Sequence, residues 1–218
     1  MAAARLGREV KTLGHAWREF RANRSPKIIA CAIVAAAALR VALGGFTWRD
    51  AVAAVAMLAV YPFGEWAIHV YLLHSKVDIA TTRSHMEHHA DPQDLNLINF
   101  GPAEALAILL LAAPLSVGLS ALLVAPLPGA LPLEPFVTEL LTAYVLIAFY
   151  EWIHFLIHTS HVPKSRYYRR VWRNHRLHHF KNEHYWHGIT NTISDTVLGT
   201  NPDQKTVERS PTARAIHG

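Results

Sequence analysis

The chain has 218 residues, the length of about one domain. Hydrophobic residues make up 51% and charged residues only 17%, against roughly 25% charged in a typical soluble protein, so intrinsic disorder is excluded. A single cysteine, Cys31, excludes a disulfide framework, and the net charge of +5 comes with fifteen histidines in spaced groups rather than in a tag.

Residues 1–27 carry Arg5, Arg8, Lys11, Arg18, Arg21, Arg24 and Lys27 against two acids. Leu6, Val10, Leu13, Trp17 and Phe20 recur at helical spacing and make one apolar stripe. The segment reads as a basic amphipathic helix on a membrane surface, with a solvated helix packed on another domain as the alternative. A cleavable signal peptide is not expected, because the polar lead is too long and too helical.

Four apolar stretches follow, at about 28–46, 51–74, 105–125 and 136–158. The first holds one charge, Arg40, close enough to its end to snorkel. The second acquires Glu65, His69 and His74 only near its end, and Ala105–Leu133 has no charge at all. In the fourth, Glu139 is the only charge before Glu151. A span needs about 20 apolar residues, so all four read as transmembrane helices. Gly44–Asp50 and the proline-punctuated Pro126–Pro135 join them as tight hairpins, and residues 203–218 form a polar tail. The expected fold is all-α: a four-helix integral membrane bundle over residues 28–202, with a cytoplasmic helical cap holding a histidine-rich dimetal site.

Basic residues set the orientation. Seven precede residue 28 and ten follow Thr159, whereas the two hairpin loops hold only Arg49. Both termini and the His85–Phe100 loop are therefore expected on the cytoplasmic side. The second basic cluster follows a span directly, and topology accounts for it without nucleic acid.

The clustered histidines all fall on that side, as His69-x4-His74, His85-x2-His88-His89, His154-x3-His158 and His175-x2-His178-His179. Spacings of three and four bring side chains to one helical face. The five-residue gap of His69 and His74 puts them about 140° apart on an ideal helix, so the pair needs a distorted or terminated helix end or else contacts the site from two sides. The pattern repeats roughly: Glu65-Trp66 precedes the first five histidines and Glu151-Trp152 the second five. Clustered imidazolium charges repel unless the rings are neutral and metal-bound, and ten imidazoles suit two ions. Histidine suits Zn, Cu, Fe and Ni alike. The zinc-protease spacing is absent, because His85-Met86-Glu87-His88 is one residue short.

These motifs, in this order on a four-span helical chain, resemble the fatty acid hydroxylase/sterol desaturase superfamily. Tyr150-Glu-Trp-Ile-His-Phe-Leu-Ile-His158 and Asn174-His-Arg-Leu-His-His-Phe-Lys-Asn182 are most similar to the fatty-acid 2-hydroxylase branch, as is Asp195 with Leu198-Gly199-Thr200. The resemblance covers roughly residues 50–202. It implies a non-haem dimetal oxygenase with His69, His74, His85, His88, His89, His154, His158, His175, His178 and His179 as ligands. It further implies two Fe ions, which Zn can replace in isolated protein, and O2 as co-substrate. His161, His184 and His187 are candidates to support the ligands from outside, or to hydrogen-bond at the interface. Glu65, Glu151 and Asp195 are candidates to orient ligand N–H groups, or simply to face water. His15 and His217 lie outside the pattern.

The expected function is hydroxylation of a fatty-acyl or related lipid. A lipid desaturase, sterol-modifying oxidase or carotenoid hydroxylase on the same site is the alternative. A membrane metal-binding or transport protein is a further alternative, but a transport path predicts ionisable residues at mid-bilayer, and the third span has none. No haem-binding domain, flavin motif or GxGxxG fingerprint is found in the 218 residues, so electrons are expected from a separate donor, cytochrome b5-like or a ferredoxin. The basic face of Lys164–Arg176 is a candidate dock for such an acidic protein, or a surface for anionic lipid.

Overall fold

Apolar runs with no charged neighbours have nowhere to place their backbone polar groups except in their own helical ladder, and the four stretches form helices accordingly. In the computed structural model, which describes residues 5–126 and 133–214, the elements are α1 (Leu13–Ala22), α2 (Arg24–Leu43), α3 (Trp48–Ala67), α4 (Ala80–Ala90), α5 (Pro102–Leu123), α6 (Leu133–Ile157), α7 (Arg166–Phe180) and α8 (Ile193–Val197). There is no β-strand among the described residues, only an isolated antiparallel bridge between Leu6 and Asp94. The linker at 127–132 and His217 lie outside the described residues.

Helices α2, α3, α5 and α6 are long and apolar enough to cross a membrane, and the chain is an integral membrane protein. Each begins about one turn upstream of its hydropathy edge, because the first turn carries unsatisfied N–H groups and takes polar residues. In α5 the Glu104 carboxylate accepts from the Gly101 N–H at 2.7 Å, and Pro102 opens the helix where its missing donor costs nothing.

The described chain divides into two compact units. One comprises residues 23–61 and 100–149. Its apolar packing includes Met57, Ala112 and Ala143, joined by Leu119, Leu140 and Tyr144. Arg40 does not snorkel as expected: it is 6% exposed and donates to Asp50 Oδ1 (2.9 Å), Thr138 Oγ1 (2.7 Å) and the Gly44 carbonyl (2.8 Å). Asp50 in turn accepts from the Thr47 N–H at 2.8 Å, at the start of α3. The guanidinium has protein acceptors on α3, on α6 and at the α2–α3 turn, so it has no need of water.

The other unit comprises residues 5–22, 62–99 and 150–214. Its core joins Val10, Ala16 and Phe20 to Ile153, Phe155, Leu156 and Val171. The N-terminal stripe is not one continuous helix. A 3-10 turn at Gly7–Glu9 precedes α1, and Asn23 separates α1 from α2. Phe20 packs at 5.1 Å on the Trp152 ring and 5.5 Å on Phe155, while Leu13 and Trp17 stay half exposed.

Removing one partner of a buried ion pair strands the other charge, at about 3–5 kcal/mol. Asp50→Ala is therefore expected to lower the melting temperature in detergent sharply, and Arg40→Met with Asp50→Ala to recover much of the loss. Calorimetry of the two variants checks this; equal melting of Asp50→Ala and parent would show that the pair is not stabilising the hairpin.

Candidate metal centre

Helix α3 ends in one π turn, Ile68–Leu73, and the His74 N–H donates to the His69 carbonyl at 3.1 Å, the i→i+5 bond of that turn. Widening the turn brings residues five apart to one side, and the two rings stand 4.9 Å apart. Each HxxHH triplet lies on a regular helix, α4 or α7. At 100° per residue the first and third histidines are 40° apart and the middle one lies about 60° to the other side.

That angular split sorts the rings into two groups. His69, His74, His85, His89 and His178 bring ring nitrogens within 4.8 Å of one another, and so do His88, His154, His158, His175 and His179. Each sequence half supplies four members of one group and lends the middle histidine of its triplet to the other. The groups adjoin, with the His89 and His179 rings 4.1 Å apart.

The ring nitrogens divide into held and unpartnered sets. Nδ1 contacts a backbone carbonyl in His69 (His187, 2.6 Å), His89 (Ala213, 3.1 Å), His158 (Pro92, 2.8 Å) and His178 (Tyr185, 2.8 Å), and His154 has a backbone bond to Ile98. Such a bond sets the tautomer and leaves Nε2 with its lone pair free. Nε2 of His69, His85, His88, His89 and His154 is buried without a protein partner among the described residues. Nε2 atoms also face one another: His175 and His158 at 3.1 Å, His179 and His175 at 3.0 Å, His178 and His74 at 3.2 Å. Two donors each ~2.1 Å from one ion and meeting at a right angle stand ~3.0 Å apart, whereas a tetrahedral angle would spread them to ~3.4 Å. The residues present therefore fit a pair of five- or six-coordinate ions with nitrogen donors.

The supporting candidates divide. Glu65, 6% exposed, accepts from the Ile189 N–H (2.7 Å) and the Thr190 N–H (3.0 Å), and from the Thr190 hydroxyl. Asp195 is fully buried and accepts from the backbone N–H of His187 (2.9 Å) and Gly188 (2.7 Å) and from the Thr200 hydroxyl (2.6 Å). Both carboxylates thus grip the loop that follows α7. In these bonds they take backbone and hydroxyl donors in place of the expected ligand N–H, and Nδ1 of His69, His89, His158 and His178 meets carbonyls instead. Glu151 is buried on α6. His187 is buried, its ring 5.2 Å from His178 and 5.5 Å from His69, with Nδ1 unpartnered. His184 is exposed beside Glu183, and His161 stacks on Tyr168.

Several contributors carry no signal in the sequence. Trp186 is fully buried at φ 57°, a strained conformation for a bulky residue, where its N–H meets the Thr200 carbonyl. Gly188 is required, since a Cβ there would lie 2.1 Å from the Asn191 carbonyl oxygen. The segment read as a polar tail is docked: Thr212 Oγ1 donates to Glu183 (2.6 Å) and the Ala213 carbonyl meets His89. At the other side the N–H of Gly7 donates to the Gln93 carbonyl (2.9 Å), beside the Pro92 carbonyl that holds His158. Gly7 admits no side chain, as a Cβ would fall 2.0 Å from the His158 carbonyl oxygen.

Burial drives the rings of His85, His88, His175, His178 and His179 well below the usual histidine range, and those of His89 and His187 to about 4. Without metal the folded state then binds fewer protons than the unfolded chain below pH about 6.5. Metal-stripped protein is expected to be most stable above that pH and to lose melting temperature steadily as pH falls toward 4, measured by calorimetry in detergent. A flat profile would show that the rings are not buried neutral. Asp195, whose carboxyl burial pushes up, holds three donors at once. Asp195→Asn turns one acceptor into a donor facing N–H groups, at about 1–3 kcal/mol. Both melting temperature and any product formation are expected to fall; unchanged melting would show that the loop does not depend on the carboxylate.

The histidine geometry can be set beside known proteins. A solved structure described as full-length scs7p, with only the hydroxylase domain visible, aligns with 85% of this chain and 68% of its own at a TM-score of 0.65 and 20% identity, which establishes a shared fold. No curated protein matches in sequence. The fatty acid hydroxylase family profile matches residues 54–200, which contain all ten clustered histidines together with Glu65, Glu151 and Asp195. The chain belongs to the fatty acid hydroxylase family.

Proposed function

We propose that this protein is a membrane-embedded non-haem di-iron hydroxylase that inserts a hydroxyl group into a C–H bond of a fatty-acyl or related lipid. It uses O2 and two electrons from a separate donor of the cytochrome b5 or ferredoxin type. The observation that carries this reading is the convergence of ten imidazoles, all buried except the half-buried His74, in two groups of five with unpartnered ring nitrogens turned inward. His69, His74, His85, His89 and His178 would hold one ion and His88, His154, His158, His175 and His179 the other. Zinc has no redox chemistry, and the family resemblance makes iron the working metal of this nitrogen set, although zinc can occupy it in isolated protein. When bound, the iron pair supplies the oxidation of the C–H bond, one oxygen atom of O2 entering the product and the other leaving as water.

The chain's own groups prepare that chemistry. The carbonyls of His187, Tyr185, Pro92 and Ala213 hold their imidazoles in one tautomer and orientation before any ion arrives. Glu65 and Asp195 immobilise residues 187–190, and with them the His187 carbonyl. Burial keeps water from the rings and holds them neutral, the form that binds metal. Following the distribution of Lys and Arg, both termini and the metal site face the cytoplasm.

Purified protein is expected to carry about two metal ions per chain, iron when expressed with iron in excess. His88→Ala and His178→Ala should each lose at least one ion while the four spans remain inserted. Lipid extracts of expressing cells should contain species heavier by one oxygen atom than those of control cells. A metal content near zero, or one indifferent to both substitutions, overturns the dimetal reading. Species lighter by two hydrogen atoms would instead identify a desaturase.

A further inference from the structure

Beyond α6 the chain runs through Thr159–Pro163 into α7, and these two stretches enclose a cleft of about 900 Å3. Arg166, Arg169, Arg170, Arg173 and Arg176 all line it, and no Asp or Glu does. The spacing of three and four puts these guanidiniums along one face of α7, where like charges oppose one another and the helix is poorer for their company unless an anion joins them. None forms an ion pair with a described carboxylate within 4.0 Å. The opposite wall is firmly built: the Ser160 N–H donates to the carbonyls of Gly7 (3.1 Å) and Val10 (2.9 Å). On the helix side the Arg176 guanidinium lies over the Trp172 ring at 4.9 Å, which orients it without neutralising it.

We infer that this cleft binds the phosphate headgroup of an anionic membrane lipid. The planar fork of arginine matches phosphate oxygens in bidentate geometry, and five forks around one concavity with no acidic lining select for concentrated negative charge. Position identifies the lipid. The membrane-spanning helix α6 ends at Ile157 and the cleft wall begins at Thr159, two residues on. A headgroup layer is ~5–7 Å deep on each side of the hydrocarbon, so residues this close to the end of a spanning helix come within reach of it. Shape favours a small group over a protein: the cleft has the volume of a small-ligand site, whereas a protein partner needs a broad surface of about 1,200 Å2 or more. The binding would anchor α7, which carries three of the clustered histidines, against the bilayer surface.

The test uses the full chain reconstituted in phosphatidylcholine vesicles containing a minor share of phosphatidylglycerol, then re-extracted in mild detergent, with co-purifying lipid counted by mass spectrometry. The parent is expected to retain phosphatidylglycerol at least threefold above its share in the vesicle. The variant Arg166→Gln/Arg169→Gln/Arg170→Gln, which leaves every clustered histidine unchanged, should retain it only at that share. Helical content and metal content equal to the parent's certify the variant's fold; if it misfolds, Arg170→Gln alone should give an intermediate enrichment. Millimolar inorganic phosphate should leave the enrichment in place. Displacement by inorganic phosphate would identify a soluble phosphate as the ligand and overturn the lipid assignment. Equal retention by parent and variant would overturn the site, as would no enrichment in the parent. So would arginine-dependent capture of an acidic redox protein without lipid enrichment. The readout is bound lipid and not turnover, so it stands apart from the iron reading.

Discussion

Leaving a buried polar nitrogen without a partner costs about 1–3 kcal/mol, and the two histidine clusters bury several such atoms within a few ångströms of each other. The surrounding backbone answers the outer nitrogen in part of the rings, and Nδ1 of His88, His175 and His179 stays unpartnered among the described residues. Carbonyls from three separate segments meet Nδ1 of His69, His89, His158 and His178, so the inward nitrogens share a common partner or none. The lengthened α3 turn, the strained Trp186 and the side-chain-free Gly7 and Gly188 all serve the placement of those carbonyls and rings.

The supports lie partly outside the stretch that defines the family. Residues 5–7 pair with residues 93–95 and so steady the loop whose Pro92 carbonyl meets His158. Residues 210–213 are tied to Lys181 and Glu183, and Ala213 meets His89. One imidazole of each cluster is thus oriented through a segment beyond residues 54–200. The carboxylates act at one remove: Glu65 and Asp195 hold the loop, and the loop's carbonyl holds His69.

The apolar unit solves a different problem with the same rule. Arg40 is buried in a span, where an unpaired charge would be prohibitive, and it is tolerated because Asp50, Thr138 and the Gly44 carbonyl surround it. Those partners lie on α3, on α6 and at the end of α2, so one cation ties three helical segments.

Much of this was legible in residue order. Hydropathy runs of membrane length specify four spanning helices, because backbone groups in lipid have only the helix to satisfy them. Histidines at intervals of three and four specify shared faces, because the helical angle is constant; the gap between His69 and His74 left a distorted turn, a helix end or contact from two sides open, and the structure supplies the π turn. Which rings meet was decided only in three dimensions. The loan of His88 and His178 between clusters depends on how α4 and α7 face one another, and no local spacing encodes that. The carbonyls of Pro92, Tyr185, His187 and Ala213 could not be foreseen either, since every residue has a carbonyl and only tertiary packing aims one at an imidazole. The same holds for Arg40 and Asp195: the sequence alone determined that each is charged and where along the chain it sits, and the fold decided what stands opposite.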